Sequence, residues 1–392
     1  MPSTTQPQKP RVLEVFLVFL RLGLTAFGGP IAHLGYFRRE LVDKRQWLSE
    51  AQYSQLVALC QFLPGPASSQ VGFGLGWLRA GWAGALAAFV AFTLPSVLLL
   101  IAFYYALPGL PAELADTVIH GLKLVACVVV TDAVLSMHRN LCPDRERQLL
   151  AIAVAALLLL THSPWWQLIA IVGGAVFGRF LLNIPIETAT PNFLIKPKPI
   201  LSGIFTALFA LMLLLLPLIS DLNPLIAATQ SFYQAGALVF GGGHVVLPLL
   251  ESSVVATGHV SADTFLAGYG AAQAVPGPLF TFAAFLGADM GGGATITVAV
   301  LAIFLPGFLL LAAVLPYWQR VSAMSGARDA LAGIGAAVVG ILGAALYDPI
   351  FTSAAAEPED LAVVLIGLSI LRVARWSPLW VVVFCVGAGF VV

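Results

Sequence analysis

Runs of roughly 20 apolar residues follow one another along the whole chain, the length a helix needs to cross a hydrocarbon core of about 30 Å. In that medium every backbone N–H and C=O must find a partner within the protein, which leaves helices or a closed barrel. Ten-residue segments of alternating polarity, the mark of barrel strands, are absent from the sequence. The 392 residues are 59% hydrophobic and 10% charged, against about 25% charged in a soluble domain. The sequence therefore predicts an all-α polytopic membrane protein. Its net charge of zero implies no acidic or nucleic-acid partner. Cys60, Cys127, Cys142 and Cys385 form no C-x-x-C pair and read as single buried or lipid-facing thiols. The opening MPSTTQPQKPR reads as a short polar tail, with no cleavage site at a convincing distance.

The chain also contains itself twice. FGGPIAHLGYF begins at Phe27 and FGGGHVVLPLL at Phe240, an offset of 213. LSEAQY (48–53) matches VSADTF (260–265) and QFLPGP (61–66) matches QAVPGP (273–278), both at 212. Leu94-Pro95 matches Leu305-Pro306 at 211. These matches predict a first repeat over 11–182, a polar, proline-rich cytoplasmic linker over 183–199, an extra span over 200–219 with no counterpart, and a second repeat over 225–392.

Basic residues sort between the copies. The stretch 38–50 holds Arg38, Arg39, Lys44 and Arg45, and its counterpart 251–263 holds none. The loop 106–116 has no base, whereas its counterpart carries Arg320 and Arg328. The loop 138–147 carries Arg139, Arg145 and Arg147, while 348–360 is acidic, with Asp348, Glu357, Glu359 and Asp360. The loop 161–164 is bare and its counterpart has Arg372 and Arg375. Under the positive-inside rule the two copies face opposite ways, with 200–219 supplying the odd crossing. The count closes only if the FGG and PGP elements are re-entrant hairpins, so each repeat is read as two broken hairpins followed by about four spans.

Proline removes a donor and glycine admits angles that other residues resist. Broken backbone survives in a bilayer only where protein or a watery cavity surrounds it. In inverted-repeat transporters such breaks aim half-helix N-termini at an anionic substrate near the midplane. Pro66 suits the first position of a half-helix, leaving the amides of Ala67, Ser68 and Ser69 free to face an anion. The candidate binding set is therefore Gln61, Pro64, Gly65, Pro66, Ala67, Ser68 and Ser69 in the first copy. Gln70 stands nearby, and the second copy offers Gln273, Pro276, Gly277, Pro278 and Thr281 with Leu279 and Phe280. The FGG breaks add Gly28, Gly29, Gly241 and Gly242, which would equally serve close helix packing.

Charge within a membrane segment marks a functional candidate. Arg21, two turns before the first break, and Lys123 are the two cations available to balance a dianion. Asp132, nine residues from Lys123, is about two and a half turns away on the same span, which also holds His120. His33 and His244 follow the two breaks without aligning and read as polar packing residues, with a proton relay as the alternative. The cluster from Arg38 to Arg45 reads as a topology anchor.

The stretch FGGPIAHLGYFRRELVDKRQWLSEAQYSQLVALCQFLPGP and its partner FGGGHVVLPLLESSVVATGHVSADTFLAGYGAAQAVPGP resemble the paired domains of the chromate ion transporter family, in its two-domain form, over essentially the whole chain. The resemblance implies a bacterial inner-membrane protein that exports chromate and confers chromate resistance, with sulfate as competitor or exchange partner. Glu251 and the stretch after it lack the basic residues frequent in that family. A transporter or channel for sulfate or another inorganic anion is the alternative. A membrane enzyme lacks support: H-E-x-x-H, G-x-S-x-G, a P-loop and metal-spaced Cys/His are all absent, and GFGLG at 72–76 is a loose helix pattern. No cofactor and no metal are expected. The expected partners are the oxyanion and the bilayer, with a second copy of the chain as a further candidate.

Overall fold

The computed structural model describes residues 11–161, 165–183, 198–322 and 324–390. The tail through Pro10, nearly all of the linker predicted at 183–199, and the last two residues of the second repeat lie outside them. The first copy comprises α1 (Arg11–Thr25), α2 (Gly29–Phe37, continued by a π-turn over Arg38–Lys44), α3 (Glu50–Phe62), α4 (Ala67–Ala106), α5 (Ala112–Leu141), α6 (Arg145–Leu160) and α7 (Trp165–Leu181). Helix α8 (Pro199–Ile219) follows. The second copy comprises α9 (Pro224–Leu238), α10 (Val246–Leu250), α11 (Ala262–Ala274), α12 (Phe282–Gly291), α13 (Gly293–Val314), α14 (Trp318–Ser322), α15 (Ser325–Ala345), α16 (Thr352–Ala354), α17 (Pro358–Arg372) and α18 (Pro378–Ala388). The described residues are helical with short connections and contain no strand. The protein is an all-α polytopic membrane protein. Among the described residues five helices are long and apolar enough to cross a membrane: Ala67–Gly109, Ala112–Leu141, Pro199–Leu222, Gly293–Ser322 and Gly326–Ala354.

Both broken elements of the first copy turn back on themselves. Leu56 packs on Gly74, and these residues lie nine positions before and nine after Gly65, so α3 and the start of α4 run antiparallel. In the second copy Gly268 packs on Phe282 and Phe285 across Gly277. At the first FGG break the chain after α2 returns far enough for Arg45 to reach Glu14, 3.8 Å away. Helix α4 itself changes direction at Ala80 and Gly81, where the backbone leaves helical angles. Gly76 and Gly84 then face each other without side chains between them. Gly292 makes the equivalent turn between α12 and α13.

The repeated motifs have local causes. Ser49 caps α3 by accepting from the Gln52 amide, and Gln52 returns a bond to the Ser49 amide. Ser261 caps α11 by accepting from the Thr264 backbone N–H, without the return bond. Each cap satisfies an otherwise orphaned donor and is worth about 1 kcal/mol. Gly23 lies against the Phe92 carbonyl and Gly236 against the Ile303 carbonyl, so α1–α4 and α9–α13 approach closely at matching places.

Helix α8 has no buried residue and packs at the edge against α9 and α13. It exposes Ile200, Leu214 and Leu218, as a lipid-facing helix does. The four cysteines are buried free thiols.

Candidate functional site

The two PGP tips meet the opposite copy. The Gly65 amide donates to the Val239 carbonyl at 2.8 Å, and the Gly277 amide donates to the Ala26 carbonyl at 3.0 Å. Ala26 and Val239 are equivalent positions, each ending the helix before an FGG break. Each copy therefore closes the other's break. Both tip glycines have φ near +100°, at 118° for Gly65 and 102° for Gly277. A Cβ at Gly65 would stand 2.9 Å from Gly307 Cα, and one at Gly277 would stand 2.8 Å from Ser96 Oγ and 3.3 Å from the Phe92 carbonyl. Glycine is required at both for conformation and for space.

The Leu-Pro match is explained by the same crossing. Ser96, after Pro95, touches the second copy's tip, and Gly307, after Pro306, touches the first copy's tip.

Around the first tip, the first bond of the α4 ladder runs from the Gln70 amide to the Pro66 carbonyl, 2.9 Å. The amides of Ala67, Ser68 and Ser69 lie ahead of it, at the positive end of the half-helix. Ser68 and Ser69 are buried, and Ser69 Oγ has no protein partner. Gln70 is fully buried; its Nε2 donates to the Pro64 carbonyl and to the Gly307 carbonyl of the other copy, both at 3.0 Å. Gln61 is exposed.

Around the second tip, Gln273 is buried with Nε2 unpartnered. Thr281 is buried too, but its hydroxyl donates to the Pro278 carbonyl at 2.6 Å. The first copy contributes His33, Thr93 and Ser96. His33 is fully buried, with Nε2 3.2 Å from the same Ala26 carbonyl that accepts from Gly277. Its ring meets Phe92 edge-on at 5.4 Å. Ser96 Oγ donates to the Thr93 carbonyl at 2.9 Å, and Thr93 Oγ1 has no partner.

The remaining candidates have other neighbours. Gly28 and Gly29 carry positive φ and form the first break, as Gly241 and Gly242 do the second, where the wall is Met137 and Leu141. Arg21 shares the outward face of α1 with the exposed Leu13, Leu17 and Leu24, while Val18, Phe19 and Leu22 face inward. Lys123 pairs with Asp263 in the first turn of α11 at 2.7 Å, and Asp132 pairs with Arg372 at 3.2 Å. His120 bonds Asp360 at 2.7 Å and His244 bonds the Tyr269 hydroxyl at 2.6 Å.

A cavity of about 200 Å³ lies elsewhere, lined by Gln167, Glu251, Ser252 and Asp348 among others. Its lining holds two carboxylates and no base, which suits a dianion poorly. Among the described residues no group of three or more His, Cys, Asp or Glu side chains could hold a metal ion.

Sequence reasoning named the tips but passed over Thr93 and Ser96, although the Leu-Pro match pointed between them. It weighed His33 as a packing residue against a proton relay and favoured packing, and nothing local to α2 shows that its ring reaches the carbonyl closing the other copy's tip.

Duplicated helical units whose broken hairpins each seat against the other copy's break define a membrane transport protein. The chain belongs to the chromate transporter family, whose model matches residues 13–179 and again 226–390. A probable chromate transport protein of Synechococcus elongatus is 31% identical over 363 residues, covering 92% of this chain and 88% of that one. The chromate transport protein of Pseudomonas aeruginosa is 28% identical over 88% of this chain and 83% of its own length, and that of Cupriavidus metallidurans 29% over 84% and 80%. No solved structure matches the chain.

Proposed function

We propose that this protein exports chromate across a bacterial inner membrane, conferring chromate resistance, with sulfate as competitor or exchange partner. One observation carries the reading. Each tip is followed by a half-helix N-terminus, and buried atoms of Ser69 and Thr93 on α4 and of Gln273 on α11 lack protein partners, with no buried carboxylate among the polar residues named there. Hydroxyls, amides and backbone N–H groups are the donors a tetrahedral dianion needs once stripped of water. In this reading the substrate meets Ala67, Ser68 and Ser69 on one side and Gln273, Leu279 and Phe280 on the other. Pro64, Gly65 and Pro66, like Pro276, Gly277 and Pro278, set the geometry, and the FGG glycines let the breaks open. Thr281 supports its own turn. Arg21 and Lys123 raise the local anion concentration on the approaches.

Export is favoured energetically. Each charge gains about 2.3 kcal/mol per 100 mV, and a dianion leaving a negative interior gains roughly twice that.

The family relationship and the names of the relatives favour chromate over other oxyanions; sulfate as the main cargo is the second reading. The test is flux of chromate and sulfate in everted vesicles, with voltage and pH gradients imposed separately. Inward chromate flux into everted vesicles that sulfate inhibits is expected. Sulfate flux alone would favour the second reading, and flux of neither anion would remove both. Side-specific labelling of cysteines introduced at 38–50 and 251–263 tests the opposed orientation, and labelling from one side at both would refute it.

A further inference from the structure

The ring of His33 sits at the crossing with one nitrogen committed and one bare. Nε2 faces the Ala26 carbonyl, which can only accept, so Nε2 carries a hydrogen. In the neutral ring Nδ1 is then a lone pair, and it is fully buried with no donor beside it. The Ala26 carbonyl also receives the Gly277 amide, so the ring is fixed against the tip of the second copy's hairpin. Thr93 Oγ1 and Gln273 Nε2 are further buried atoms without a partner, and Phe92 and Ser96, which bracket Thr93 in α4, lie against Gly277.

The elements packed against α2 bring no opposing charge to the ring. Helix α4 presents the Phe92 ring. From α3, Tyr53 donates its hydroxyl to the Leu34 carbonyl at 2.6 Å, and Cys60 is a buried thiol. In the π-turn Glu40 is held by Lys44 and Arg45, while Arg38, Arg39 and Asp43 lie beyond the end of α2. From the second copy the Gly277 amide reaches the ring through Ala26, Gly243 lies against Pro30 of α2 with the neighbouring His244 held by the Tyr269 hydroxyl, and Pro378 of α18 stands near Gly28.

We propose that His33 is the proton-accepting member of the anion site: an arriving tetrahedral dianion draws a proton onto Nδ1, and the imidazolium then donates to an anion oxygen. This rests on the functional reading above. The proton comes from bulk water; no covalent bond forms or breaks. Empty, the site holds a neutral ring and excludes monovalent anions that cannot compensate the cost of charging it. Loaded, it carries one unit of negative charge less than the anion brings.

The test is titration calorimetry of the purified full-length protein with potassium chromate in alkaline buffer, where chromate itself carries no proton. Running it in two buffers of different ionisation enthalpy counts protons taken up by the protein. Uptake of about one proton per bound chromate is expected. His33→Gln keeps an N–H for the Ala26 carbonyl but cannot gain charge; it is expected to bind roughly tenfold more weakly, with no proton uptake. Binding by the wild type without proton uptake overturns the proposal whether or not the variant folds. Undiminished uptake in a folded His33→Gln protein also overturns it, by placing the proton elsewhere. Absence of chromate binding in the wild type would instead overturn the functional reading on which the proposal stands.

Discussion

The tip at Gly65 and the tip at Gly277 share one backbone and differ in what fills the space around it. At the first, the Gln70 amide bridges the Pro64 carbonyl and the Gly307 carbonyl of the other copy, a strut with no equivalent at the second tip, where Phe282 occupies the position. At the second, Gln273 is buried with an unpartnered N–H group, while its counterpart Gln61 is exposed. His33 and Thr93 stand at the second tip, and their counterparts at the first are Val246 and Phe304. Duplication preserved the break and let the side chains diverge: the first tip has a strut beside the unpartnered Ser69 hydroxyl, and the second has no strut and keeps an unpartnered Gln273 N–H.

The largest expected effect tests the shared part. Gly65→Ala forces a left-handed angle on a residue with a Cβ, about 1–3 kcal/mol, and drives it against the Gly307 backbone. Gly277→Ala carries the same strain but meets first the Ser96 hydroxyl, which can rotate. Melting of detergent-solubilised fusions should show the greater loss at Gly65, and the reverse order would break the account of how the tips pack. Next, Gln70→Ala strands two buried carbonyls at a cost of about 1–3 kcal/mol. It should lower the melting midpoint, and flux should fall only with the amount of folded protein. Gln273→Ala should do the opposite, cutting chromate flux about tenfold with melting unchanged, while Gln61→Ala stays within about twofold. Equal flux defects at Gln61 and Gln273 would erase the asymmetry. The smallest effect belongs to Asp263→Asn, which removes the partner of Lys123; Asp263 is mostly exposed, so stability should change by less than about 1 kcal/mol by the same melting assay.

Much of the architecture was legible because it is local. The offset matches mark caps, breaks and tips, and Ser49 and Ser261 cap the helices their motifs begin. The tips were legible because Pro-Gly-Pro cannot continue a helix. What the sequence withheld is whatever depends on docking one copy against the other. Nothing near Gly65 names Val239 as its acceptor. Lys123 and Asp132 stand about two and a half turns apart on one span, and each finds its partner on a distant element, Asp263 and Arg372. Arg21 looked central by position, and the rotation of α1 turns it outward with the leucines. Spacing along a helix fixes which residues share a face; it does not say what that face meets.

The reciprocal bonds at Ala26 and Val239 bear on how the protein is made. When the first copy leaves the ribosome, the Gly65 amide has no acceptor, because residue 239 does not yet exist. An unpaired backbone group in hydrocarbon costs several kcal/mol. The early half must therefore wait with its hairpin unseated or wetted until its sibling inserts. Biogenesis becomes a handshake in which neither half matures alone, and separately synthesised halves should be short-lived apart yet rescue one another when produced together.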